Sequence, residues 1–157
     1  MPQYEPFTAE RAVEIISLHA DQEGPLLPVL HALQHAFGFI PREAVPIVSG
    51  ALNLSRAEVH GVVTFYHDFR GSLAGRRVLK LCRAEACQAR GGDAIASQAE
   101  EQLGVAIGGT TADGQVTLEA TYCLGLCATG PAAMLDDRLY GRLDERRLGA
   151  LIAEARS

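Results

Sequence analysis

All four cysteines of the chain fall into two close pairs, and their sulfur atoms are well suited to bind a metal. The first pair, Cys82 and Cys87, has the spacing C-x4-C, and the second, Cys123 and Cys127, has the spacing C-x3-C. The 35 residues 88–122 separate the two pairs. Four thiolates that arrive from two loops are the minimum set for a tetrahedral zinc site or a [2Fe–2S] cluster. The cysteines are therefore the candidate metal ligands of this sequence.

Other uses of the cysteines compete with a cluster. Two structural disulfides are typical of secreted proteins, whereas the first residues lack the basic-then-apolar pattern of a signal peptide. A structural zinc ion usually takes C-x2-C or similarly short spacings, and a thioredoxin-type dithiol is C-x-x-C. Four structural cysteines without a metal would have to fall into two close pairs in the sequence by chance. The spacing favours an iron–sulfur cluster and leaves zinc, disulfides and metal-free cysteines as alternatives.

Both pairs are predicted to lie where a strand gives way to a loop. Residues 77–82 form a predicted strand that ends on the first cysteine, and the alternation along residues 116–122 predicts a strand that ends on the second pair. Gly125 permits a tight turn that points backbone N–H groups towards sulfur. A helix start after Cys87 is expected to stabilise negative charge on a cluster. Sheet geometry would thus hold four sulfurs around one point.

Residues 1–72 are predicted to form a helical bundle, because their apolar residues recur at helical spacing. The segment Ser55-Arg-Ala-Glu58 matches a capping box, and Gly38 occupies the usual position for a helix stop. The predicted helices cover about 8–21, 24–37, 41–52 and 55–65.

Residues 73–157 follow a small flexible stretch at 70–75 and are predicted to form an α/β domain. After the first cysteine pair we expect a helix over 88–103, a short strand over 105–110 and a turn at Asp113-Gly114. The expected order is β-α-β-β-β-α, and the fold class is α+β. The last elements are a hairpin of residues 132–135 and 138–140 and a helix from Asp144 to about residue 156.

Charge and composition limit the classes of partner that the chain is expected to bind. The net charge is −5, of which residues 1–75 carry −4. This argues against nucleic acid as the main partner, because phosphate binding needs a basic face. No apolar run approaches the roughly 20 residues of a membrane span, and no glycine-rich phosphate motif follows a predicted strand. We therefore expect a cytoplasmic protein without its own nicotinamide or flavin site.

The cysteine pattern, with C-L-G-x-C followed by Gly-Pro, resembles that of the thioredoxin-like [2Fe–2S] ferredoxin family. The segments 61–66 (GVVTFY) and 110–114 (TTADG) resemble the same family. Its members include the small peripheral subunit of complex I, subunits of NAD-reducing hydrogenases and the gamma subunit of NAD-dependent formate dehydrogenases. The resemblance implies a thioredoxin-like domain, one [2Fe–2S] cluster and four cluster ligands, which are Cys82, Cys87, Cys123 and Cys127.

Within that family, residues 58–70 and 82–89 look most like the formate dehydrogenase gamma subunit. This implies an electron-transfer subunit that exchanges single electrons with the flavin of an NAD-binding partner subunit. A molybdenum- or tungsten-containing formate dehydrogenase subunit would be the catalytic partner, with no substrate site on this chain. The alternatives are the homologous subunit of complex I or of an NAD-reducing hydrogenase, a free ferredoxin-like shuttle and, from another class, a zinc-stabilised interaction module.

Overall fold

The structure, a computed structural model, describes residues 4–157. Four helices make up the first part of the described chain. Residues 1–3 lie outside the described residues. They belong to the predicted range 1–72 and to residues 1–6, whose sequence was compared above with a signal peptide. The helices are α1 (Ala9–Ser17), α2 (Leu26–Phe37), α3 (Ala44–Leu52) and α4 (Arg56–Phe65). They share one apolar core that includes Ile16, Leu30, Leu33, Phe37, Val48 and Val59. The predicted helical bundle is confirmed.

Two of the predicted helix boundaries in this bundle are wrong. The first helix ends at Ser17, because the following exposed residues 21–24 offer no apolar side chain to the core. The third helix begins at Ala44, because the N–H of Ala44 bonds to the carbonyl of Pro41 at 2.9 Å and closes a tighter turn first. The stop at Gly38 agrees with its left-handed φ of 81°.

The second part of the chain is built on a four-stranded sheet with the order β2-β1-β3-β4. The strands are β1 (Arg77–Cys82), β2 (Val116–Thr121), β3 (Ala133–Leu135) and β4 (Arg138–Tyr140). Strands β1 and β2 are parallel, whereas β3 pairs antiparallel with both β1 and β4. Buried leucines of the sheet pack against two long helices, α6 (Gly92–Leu103) and α7 (Glu145–Arg156). Contacts divide the chain into two compact units, Met1–Leu73 and Ala74–Ser157.

The predicted single helix over 88–103 is in fact two helices. A short helix α5 (Glu85–Gln88) precedes α6, and the chain turns between them at Gly91, whose φ is 91°. A Cβ at Gly92 would lie 2.7 Å from the carbonyl oxygen of Cys87, so only glycine fits where α6 leaves the cysteine segment. Gly91 and Gly92 thus determine the break between α5 and α6, which helical periodicity alone did not indicate.

The predicted strand over 105–110 does not form. Gly108 has a φ of 93°, which interrupts an extended backbone, and only an isolated bridge joins Thr110 to Thr117. The predicted alternation of buried and exposed residues along β2 is also wrong. Thr117 is buried like the residues on either side of it, and Tyr122 lies exposed after the strand end. The order is therefore β-α-α-β-β-β-α. No described helix combines the length and the apolar character that crossing a bilayer requires.

Candidate metal centre

The parallel pairing of β1 and β2 brings the two cysteine loops to one edge of the sheet. Cys82 is the last residue of β1 and pairs with Thr121, the last residue of β2. The carboxyl ends of parallel neighbours meet at the same edge, so Cys123 lies only two residues beyond that pair. Cys87 lies in α5 and Cys127 opens a single 3₁₀ turn. The helix expected to start after Cys87 therefore begins before it, at α5, and is interrupted after it.

The Cys82 thiol is influenced by the backbone of both cysteine loops. Ala84 of the first loop and Cys123 and Leu124 of the second all lower the pKa of this thiol. Burial raises the pKa of the Cys82 thiol, but the hydrogen bonds from Ala84, Cys87, Cys123 and Leu124 together bring that pKa below its ordinary value. The fold thus favours negative charge at this sulfur.

The Cys87 sulfur is held in a tight apolar corner. Its residue is 2% exposed, and burial followed by the hydrogen bond to Cys82 raises the pKa of the Cys87 thiol. The backbone of Ala132 partly offsets this rise in the pKa of the Cys87 thiol. A Cβ at Gly130 would lie 3.2 Å from this sulfur, so Gly130 leaves room for it. Leu124 and Leu126 pack against this apolar corner and help to exclude water.

The second pair lies on the exposed side of the centre. The sulfurs of Cys123 and Cys127 are 3.6 Å apart, and both residues are exposed. The hydrogen bond with Cys123, and then its charge, raise the pKa of the Cys127 thiol. Gly125 and Cys123 both have positive φ, 75° and 79°, as the tight loop requires. The loop therefore turns sharply enough to bring its two thiols into contact.

The donor set fits a binuclear cluster. Each iron of a [2Fe–2S] cluster takes two protein ligands, and this edge offers one buried pair and one exposed pair of thiols. Within residues 4–157, no three His, Cys, Asp or Glu side chains gather into a group that could hold one metal ion, so the expected gathering of four sulfurs around one point is not observed. The backbone of the second loop, at Cys123 and Leu124, lowers the pKa of the Cys82 thiol in the first. Hydrogen bonds to sulfur tune the potential of an iron–sulfur centre.

Sequence reasoning missed three residues that shape this centre, which are Arg90, Gly130 and Ala132. Arg90 Nη1 donates to the carbonyl oxygens of Ala128, at 2.8 Å, and Cys127, at 3.4 Å. The Gly-Pro after the second pair was part of the family resemblance, but nothing in it indicated contact with Cys87. These contacts join segments about 40 residues apart, so local pattern carries no signal for them.

Comparison with known proteins identifies the family. A model of the thioredoxin-like [2Fe-2S] ferredoxin family matches residues 12–156. The NADP-reducing hydrogenase subunit HndA of Solidesulfovibrio fructosivorans is 32% identical over 90% of this chain and 83% of its own length. An NADH-quinone oxidoreductase subunit of Pseudomonas aeruginosa is 32% identical over 78% of this chain and 74% of its own length.

A solved structure shares the fold. A crystal structure of an NAD+-reducing [NiFe]-hydrogenase in the air-oxidized state matches 83% of this chain, with a TM-score of 0.66 and 27% identity. The match spans only 22% of that hydrogenase chain. With the family match over nearly the whole sequence, these findings establish that the chain belongs to the thioredoxin-like [2Fe–2S] ferredoxin family and carries a [2Fe–2S] cluster.

Proposed function

We propose that this chain is an electron-transfer subunit of an NAD-linked oxidoreductase complex, with Cys82, Cys87, Cys123 and Cys127 as the cluster ligands. The observation that carries the proposal is the position of both cysteine pairs at one edge of the sheet, where the parallel strands β1 and β2 end. Residues 1–72 and 73–157 are the proposed domains. Thiolate ligands need a reducing compartment, which supports a cytoplasmic location.

When bound, the cluster supplies storage for one electron at a time. The chain's own residues set how that electron is held and where it leaves. The backbone of Ala84 and Leu124 lowers the pKa of the Cys82 thiol and thereby favours negative charge at that sulfur. Cys123 and Cys127 are exposed, so the centre has its open side towards a partner. Electron transfer to the partner would cross that side.

The partner must handle two electrons together, because nicotinamide cofactors deliver a hydride. A [2Fe–2S] cluster accepts one electron, so a flavin on a partner subunit has to split the pair. A flavin- and NAD-binding subunit is therefore the proposed immediate partner. The names of the relatives, a hydrogenase subunit and an NADH-quinone oxidoreductase subunit, support a hydrogenase or a complex I type of assembly.

A formate dehydrogenase complex with a molybdenum or tungsten subunit is the second candidate. Its support is the likeness of residues 58–70 and 82–89 to gamma subunits. The two relatives named above carry the names of the other two complexes, so the hydrogenase and complex I assignments come first.

Purification of the tagged chain from its native cells under anaerobic conditions tests this proposal. We expect it to bring down a flavin-containing subunit with NADH-dependent dye reduction. The remaining subunits, identified by mass spectrometry, separate hydrogenase, quinone reductase and formate dehydrogenase. A chain that stays monomeric, retains its cluster and binds no flavoprotein would favour a free shuttle. A colourless chain with one zinc would favour the interaction module.

A further inference from the structure

One arginine side chain connects the two cysteine segments. Arg90 lies three residues after Cys87, in the turn between α5 and α6, and its backbone N–H bonds to the carbonyl of Cys87 at 3.1 Å. Its Nη1 reaches across to the second loop and donates to the carbonyls of Ala128, at 2.8 Å, and Cys127, at 3.4 Å. Arg90 therefore contacts the main chain of one ligand from each pair.

The neighbouring backbone leaves space for this arrangement. A Cβ at Gly130 would lie 3.6 Å from Cδ of Arg90 and 3.2 Å from the sulfur of Cys87. The glycine therefore lets the arginine stem and the thiol lie side by side. An arginine suits this task, because its planar guanidinium is always charged and presents several donors at once.

The charge of Arg90 lies beside the main chain of the second cysteine loop. The other arginine of the first segment, Arg83, forms an ion pair with Asp93 at 3.0 Å. Among residues 4–157, the ion pairs observed at this centre do not include Arg90. Its partners are two carbonyl oxygens, whose partial negative charges it offsets beside Cys127.

We propose that Arg90 is a positioning residue of the cluster. It holds the Cys127 end of the exposed thiol pair in place, and its charge favours the reduced cluster over the oxidised one. Reduction adds one electron and therefore one negative charge, which a nearby cation stabilises by Coulomb attraction. This inference rests on the proposed electron-transfer function of the same site.

The test compares Arg90→Gln, Arg90→Lys and the charge-matched control Arg146→Gln, all in the full-length chain. Arg146 is an exposed residue of α7. EPR-monitored redox titration gives the reduction potential, and the loss of visible absorbance in excess chelator gives the rate of cluster release. Both are measured at low and at high salt.

For Arg90→Gln we expect the ratio of reduced to oxidised cluster at a fixed potential to fall about threefold to tenfold. A tenfold change corresponds to about 59 mV for a one-electron couple. High salt should shrink this difference, because Arg90 is exposed and its charge is screened. Arg90→Lys should keep most of the potential, since the charge remains, but should release its cluster faster than Arg146→Gln does.

The inference is overturned if Arg90→Gln matches Arg146→Gln in both potential and release rate. If Arg90→Gln cannot hold a cluster, the rate of cluster release from Arg90→Lys is the deciding measurement. A rate equal to that of Arg146→Gln contradicts the inference, and a faster rate supports it. Failure of the proposed function is distinct, because the unaltered chain would then be a shuttle or would contain no iron and sulfide.

Discussion

The four sulfurs share one edge of the sheet but differ in their access to solvent. Cys82 and Cys87 are 4% and 2% exposed, whereas Cys123 and Cys127 are exposed. The inner thiols belong to the strand end and to the short helix, and the outer two belong to a loop that turns at Gly125. The outer thiols should therefore be the first that reagents and partners meet.

In reduced, metal-free protein, an alkylating reagent should modify Cys123 and Cys127 at least about tenfold faster than the inner pair, because access limits the reaction. Timed alkylation followed by peptide mass spectrometry measures the four rates separately. The same experiment in denaturant is the control, and there the four rates should converge. Equal rates in the native, metal-free protein would contradict the burial described for Cys82 and Cys87.

Gly130→Ala should weaken cluster retention, because the added methyl group would lie 3.2 Å from the sulfur of Cys87. The backbone of Gly130, with φ −67° and ψ 164°, suits alanine, so crowding is the cause under test. Gly149→Ala in α7 is the matched control, because a Cβ at Gly149 would lie 4.0 Å from the nearest atom.

We expect chelator to strip the Gly130→Ala cluster about threefold or more faster than that of the control, by the usual sensitivity of packed sites to overfilling. Gly149→Ala should hold its cluster as the unaltered chain does. Identical retention in the two variants would show that the Cys87 sulfur has room that the structure does not indicate.

At the scale of elements, the start of α4 is defined by a reciprocal pair of hydrogen bonds. The Ser55 hydroxyl accepts from the N–H of Glu58 at 3.1 Å, and the Glu58 carboxylate accepts from the N–H of Ser55 at 2.8 Å. The backbone bond and then the hydroxyl bond hold the pKa of Glu58 below its ordinary value. The sequence pattern predicted this cap.

Ser55→Ala should lower the free energy of unfolding by about 1 kcal/mol, as the loss of a helix cap usually does. Urea unfolding followed by circular dichroism measures it, with the exposed loop change Ser72→Ala as the control. Because the pKa of folded Glu58 is depressed, its contribution is present above the ordinary carboxyl pKa and is lost as pH falls through the folded value. Glu58→Gln should remove that acid sensitivity, and an unchanged pH profile would contradict the cap.

Elements with a strong local signal were predictable from sequence, whereas those shaped by contacts were not. Strand β1 ends on Cys82, the β3–β4 hairpin turns at Asp136 and Asp137, and Asp144 caps α7, as predicted. The break at Gly91 and the irregular path near Gly108 were missed, because each depends on a glycine conformation that periodicity does not reveal. Local pattern also gave no reason to link Arg90 with Ala128.

At the scale of the whole molecule, the chain provides a redox centre without a nucleotide motif. Its four thiols lie at one edge of the sheet as an inner and an outer pair, and its family carries a [2Fe–2S] cluster. The positions of the cysteines in the sequence predicted the metal chemistry. The division into an inner and an outer pair, which defines the open side of the centre, required the fold.

The most direct test of this account is the EPR spectrum of the chain, purified anaerobically and reduced, with iron and acid-labile sulfide measured on the same sample. We expect two iron and two sulfide per chain and a signal from a single reduced [2Fe–2S] cluster, because such a cluster contains two irons and two sulfides. A colourless protein that contains one zinc, lacks sulfide and gives no such signal would contradict it.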